Sequence, residues 1–158
     1  MLNAAERRRL QFLARVVPKQ CEHLEGTDAR LFAEPFTARR ASDLDDDPEL
    51  AERVEAFVSR FGRLQDTLGD NLLALFLKAA GEHVSVAIDN LDRAERLGLL
   101  PSVDEWMTMR KLRNQMVHEY IEDPNILADA LQSGHRFVPT LRSVAERLLT
   151  EIRSHGWL

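Results

Sequence analysis

Among the 158 residues, the run Arg113-Asn114-Gln115-Met116-Val117-His118-Glu119-Tyr120 holds the side chains best suited to chemistry. In metal-free RNA cleavage a ribose 2′-hydroxyl attacks the adjacent phosphorus. The step needs a proton carrier that works near neutrality, which imidazole supplies, and a fixed positive charge for the phosphoryl oxygens. His118 fits the first role and Arg113 the second, because a guanidinium is permanently charged, planar and able to grip phosphate with two donors. Asn114 adds an amide that can bond a phosphate or orient the imidazole. Tyr120 offers a phenol for stacking or hydrogen bonding.

Helical geometry separates these groups. Residues five apart lie roughly 140° apart around a regular helix, so Arg113 and His118 occupy different faces. Asn114 shares the face of His118, whereas Arg113 falls with Trp106, Met109, Met116, Val117 and Tyr120. One site can hold both groups if Arg113 curls around, if the helix distorts near His118, or if a second subunit completes the pocket along a two-fold axis. The plain alternative is a chance pair. Arg113 is then an ion-pair partner, and His118 is a helix-end residue favoured by the helix dipole and away from any cleft.

The element that carries these residues follows Pro101 and opens at Ser102. Its hydroxyl can cap the first turn, with Glu105 three residues on. Further helices are predicted on either side. Asn3 and Glu6 form a capping-box pair that opens the first helix, and Pro18 is placed to kink or end it. Residues 25–47 read as a loop with an acidic run. A calcium loop is excluded there, since Pro48 and Val54 stand where the glycine and glutamate would be needed. Asp47-Pro48 instead starts a long helix over about 48–79. Along it Leu50, Val54, Phe57, Phe61, Leu64, Leu68, Leu72 and Leu75 hold a stripe roughly 80° wide. Gly62 and Gly69, seven apart on one side of it, either allow another backbone to approach closely or are tolerated exposed positions.

A shorter helix is predicted around 84–97, with Val84, Ala87, Ile88, Leu91, Ala94 and Leu97 as its face and Gly98 as its stop. Asp123-Pro124 opens the last helix, which is kinked at Pro139, runs to about Arg153 and is stopped by Gly156. The expected fold is a single all-α domain over residues 1–158, an up-and-down bundle of four to five helices.

Composition limits the alternatives. Hydrophobic residues are 44% and charged residues 30%, with seven Gly and six Pro, the balance of an ordinary globular chain. The net charge of −5 supplies no general field for nucleic acid, so RNA contact would need a local patch, of which Arg110, Lys111 and Arg113 are the candidates. Cys21 is the one cysteine, which excludes an internal disulfide or a cysteine metal cage and suits a reducing compartment. His23, His83, His135 and His155 read as surface or helix-end residues, and no two histidines are four apart to chelate a metal on one helix. There is no phosphate-binding glycine loop, HExxH helix or nucleophile elbow. No apolar run reaches the ~20 residues of a membrane span, and the N-terminus is not a secretion signal, so a soluble cytoplasmic protein is expected.

Trp106-x-x-Met109-Arg110-x-x-Arg113-Asn114-x-x-Val117-His118-x-Tyr120 resembles the motif-bearing helix of the HEPN family. In particular it looks like that of the HepT-like toxins and the related nucleotidyltransferase-binding proteins. The resemblance implies a helical dimer with two motifs in a shared cleft. It also implies metal-independent endoribonuclease activity without a cofactor, with Arg113, Asn114 and His118 as site residues. The expected partner is a minimal nucleotidyltransferase antitoxin that transfers AMP to Tyr120. A non-catalytic subunit that docks a nucleotidyltransferase, or its nucleotide, is the alternative.

Overall fold

The computed structural model describes residues 1–118 and 123–158. Among these residues every regular element is helical: α1 (Ala4–Leu31), α2 (Ala38–Ser42), α3 (Pro48–Asp66), α4 (Leu73–Ala79), α5 (Ala87–Arg96), α6 (Val103–His118) and α7 (Pro124–Ser154). A π turn, Thr67–Leu72, welds α3 to α4 into one rod, so the described residues form six helices rather than four or five. One apolar cluster joins α1, α3, α4, α6 and α7, and α2 lies against α7.

The caps operate as the sequence requires. Asn3 and Glu6 satisfy each other's amides, Asp47 accepts from Leu50 N at 3.0 Å, and Asp123 accepts from Asn125 N at 2.9 Å. Gly98 and Gly156, both at positive φ, terminate α5 and α7.

Four expectations are corrected. Pro18 does not end α1, which runs on to Leu31, and α7 likewise continues past Pro139. Both prolines are exposed, while buried neighbours such as Val17 and Val138 hold each helix on its inner side. Secondly, residues 25–47 are not a loop. α1 continues to Leu31 because Thr27 accepts from Arg60 and Asp28 binds His135 Nδ1 at 2.7 Å. Arg40 then staples the turn after α1 by donating to the carbonyls of Leu31 and Glu34. His135 is therefore a mid-helix residue, stacked on Phe32 with ring centroids 4.4 Å apart, rather than a helix-end one. Burial raises the Asp28 carboxyl above its usual range, and the His135 hydrogen bond opposes that shift.

Thirdly, the short helix starts at Ala87, and only Leu91 and Ala94 of its expected face are buried; Val84, Ala87, Ile88 and Leu97 are exposed. α4 ends at Ala79, as expected, with Gly81 at positive φ just beyond it, and Asn90 turns inward to bond both the amide and the carbonyl of Ser85. Lastly, the long apolar stripe slips by one residue after the π turn. Leu68 and Leu72 are buried, but Phe76 and Leu77 then replace Leu75 in the core. A π turn adds a residue to the ladder, which advances every later side chain.

Cys21 is 4% exposed on the inner face of α1. Burial pushes its thiol up to about 11, with Arg142 opposing and Glu25 and Glu146 adding to the shift. Because the thiolate is the reactive form, native protein should resist iodoacetamide at about pH 8 and become fully alkylated in guanidinium. Rapid labelling of the native protein would contradict this packing.

Candidate functional site

The motif helix α6 lies antiparallel on α3, and the contact is organised by the two glycines. Trp106 crosses Gly69, where a Cβ would sit 3.1 Å from the indole, and Arg113 crosses Gly62, where a Cβ would meet its Nε at 2.4 Å. Trp106 and Arg113 are seven apart, as are Gly62 and Gly69, so each large side chain finds the gap left by a missing one. The close neighbour is thus a side chain, not another backbone. Gln65, 1% exposed, donates from its amide to the Trp106 carbonyl at 3.1 Å and fixes the register.

Above Gly62 the guanidinium meets a carboxylate. Arg113 Nη1 donates to both oxygens of Asp66, at 2.9 and 2.8 Å. One turn away Arg110 approaches Asp70 at 3.8 Å. Asp66 closes α3 at the edge of the π turn, and its own backbone carbonyl accepts from Asn71 Nδ2 at 3.4 Å. Trp106, Met109 and Met116 are buried along the same side of α6.

Arg113 forms part of the floor of an open groove of about 620 Å³ between α3 and α6. Met116 and Val117 line it from α6, and Val58, Arg63, Asp66 and Thr67 from the opposite rod. A volume of that order lies within the range of small-molecule sites, roughly 300–1,000 Å³.

The other expected site residues sit elsewhere. Asn114 and His118 are exposed, and neither lines the groove. His118 is the last residue of α6, which stays α-helical up to it. Tyr120 lies outside the described residues. Within one protomer, then, Arg113 is ion-paired in the groove while His118 stands on the outer face of the helix end. Those are the two marks expected of a chance pair.

Every groove residue on the α3 rod escaped sequence reasoning, Arg63, Asp66, Thr67 and Asn71 among them. A signal for Asp66 exists. Matching seven-residue spacings on two helices, one of glycines and one of large side chains, set an antiparallel register, and the carboxylate one turn after Gly62 must then reach Arg113. The chain matches no protein-family model, no curated protein and no solved structure.

The Gly62 contact yields a double-mutant test. In the parent, Gly62→Ala forces Arg113 off Asp66 and should lower stability in urea unfolding by ~1 kcal/mol or more. In an Arg113→Ala background the same change should raise stability by up to ~1 kcal/mol, the helix preference of alanine over glycine. Equal effects in both backgrounds would show that the guanidinium does not occupy the glycine gap.

Proposed function

We propose that the chain is a metal-independent endoribonuclease of the HEPN, HepT-like kind, which acts as a homodimer. The observation that carries the reading is how Arg113 is held. Asp66 engages Nη1 and the Nε side packs over Gly62, while Nη2 makes no bond among the described residues and 34% of the side chain is exposed. A guanidinium held in place by its carboxylate, with a donor still free, can receive a phosphate.

Arg113 and His118 must still converge. Its bond to Asp66 keeps Arg113 from curling around α6, and the helix is regular up to His118, so neither route brings the imidazole to the groove within one subunit. A second copy is the remaining route, in keeping with a two-fold dimer in which the imidazole of one subunit serves the groove of the other. His118 then takes the proton of the 2′-hydroxyl as it attacks phosphorus. Arg113 steadies the added charge, and the 5′-oxygen leaves, taking a proton from water while His118 returns its own to solvent, to give a cyclic phosphate and a 5′-hydroxyl end. Asn114, exposed beside His118 on the same face, orients the imidazole or the strand.

The second reading is a non-catalytic helical subunit that docks a nucleotidyltransferase or its nucleotide. It is favoured by the Arg113–Asp66 pair itself, by the placement of His118 outside the groove and by the acidic balance of the chain. In either reading Tyr120 is the proposed acceptor of AMP from a minimal nucleotidyltransferase. A bulky anion beside His118 would repel RNA. The protein works in the cytoplasm in this account, and among the described residues no helix is long and apolar enough to cross a membrane.

Incubation of total RNA in EDTA should give cleavage with the parent protein and none with His118→Ala. Equal activity in both, or loss of parental activity with EDTA, would defeat the nuclease reading. Mass spectrometry after co-production with the cognate transferase should find the Tyr120 peptide heavier by one AMP moiety. An unmodified peptide would count against the toxin–antitoxin pairing.

A further inference from the structure

The rod opposite Arg113 carries a polar row, Glu55, Ser59, Arg63, Thr67 and Asn71, spaced at four and lining the groove throughout. Positions four apart on a regular helix drift by about 40°, so such a row would normally wind out of a groove. The π turn, with more residues per turn, winds the last step back and keeps Asn71 in line with Thr67. π turns inside helices recur at functional sites, and this one adjoins both Asp66 and the row. Met116 and Val117 face the row from α6, and Val58 adds an aliphatic side chain beside the row on α3; Val117 is 52% exposed and has no covering partner among the described residues.

Charge within the groove is sorted. Arg63 is exposed, and its one side-chain bond among the described residues is a 3.4 Å contact to Ser59 Oγ. Asp66 is engaged by Arg113, whereas Glu55, at the far end, makes no ion pair among the described residues. Thr67 is 8% exposed and its hydroxyl enters no hydrogen bond among them. Two cations on facing helices, Arg63 and Arg113, thus line the same groove as the apolar side chains, together with the carboxylate of Glu55.

We infer that this groove is a subsite for one nucleotide of single-stranded RNA, next to the bond to be cut. Arg63 and Arg113 hold its phosphate, Val58, Met116 and Val117 contact its base, and the Thr67 hydroxyl meets a polar edge. The identification of the strand as RNA rests on the ribonuclease reading; the recognition of a phosphate beside an apolar base rests on the groove alone. Among the described residues no aromatic side chain lines the groove, and its two arginines should make an electrostatic contribution visible in salt.

Fluorescence anisotropy with a short fluorescein-labelled single-stranded RNA tests this, using full-length protein carrying His118→Ala so that the probe is not consumed. Adding Arg63→Ala should weaken binding about tenfold and reduce the slope of log K against log salt by about 0.7, the loss of one phosphate contact on a single strand. Ser59→Trp, which fills the groove from an exposed position, should weaken binding by a similar factor, and Arg39→Ala on α2 should change nothing. Thermal unfolding of each variant confirms that the fold persists, and Arg63→Lys, which keeps the charge, should retain most of the salt slope.

Unaltered affinity and slope in Arg63→Ala and Ser59→Trp would overturn the subsite while leaving RNA cleavage by the parent to stand. Failure of the His118→Ala protein to bind the probe at all would overturn it as well. Binding that depends on Arg63 and Ser59, in a protein whose parent does not cleave RNA, would support the subsite and defeat only the nuclease reading.

Discussion

The pairing of Arg113 with Asp66 across Gly62 is the constraint on which the arrangement of this protein turns. With about a third of each side chain exposed, the pair contributes little to stability, on the order of 0–1 kcal/mol. Burial of Trp106, Met109 and Met116 supplies the energy that docks α6, about 1.5–3 kcal/mol for each large side chain. What the ion pair adds is direction. It holds a planar cation in the lining of the groove and keeps the side chain from reaching round its own helix. Gly62 makes the arrangement possible, because any larger residue would occupy the space of the guanidinium.

The π turn governs the same region from the other side. It gives Asp66 its place at the end of α3, straightens the polar row and shifts the core phase so that Phe76 and Leu77 pack where Leu75 was due. With a net charge of −5, the chain offers anions no broad attraction. A local solution results: arginines from α3 and α6 line the same groove as a few aliphatic side chains, and the Asp66 carboxylate is already engaged. Such a design suits recognition of a short stretch of strand rather than long-range capture.

Much of the fold was legible from local chemistry. Asn3, Asp47 and Asp123 announced their helix starts, Gly98 and Gly156 two of the ends, and the leucine and phenylalanine stripe the central rod. What could not be read were places where a distant partner overrides local preference. Thr27 and Asp28 look like turn residues until Arg60 and His135 bind them. Val84 and Ile88 look like a buried face until Asn90 takes the inward position, and the π turn leaves no mark in composition. At the candidate site, helical angles correctly set Arg113 apart from Asn114 and His118. The partner Asp66 and the opposing Arg63 required knowing which helix α6 lies against.

The decisive experiment is subunit complementation. Arg113→Ala and His118→Ala proteins are purified separately, dissociated, mixed in equal amounts and reassociated, and RNA cleavage is followed in EDTA. If the guanidinium of one subunit works with the imidazole of the other, half of the dimers are mixed and each has one intact site, so about a quarter of parental activity should return from two inactive proteins. A mixture as inactive as its components, beside an active parent, would contradict an active site shared in this way.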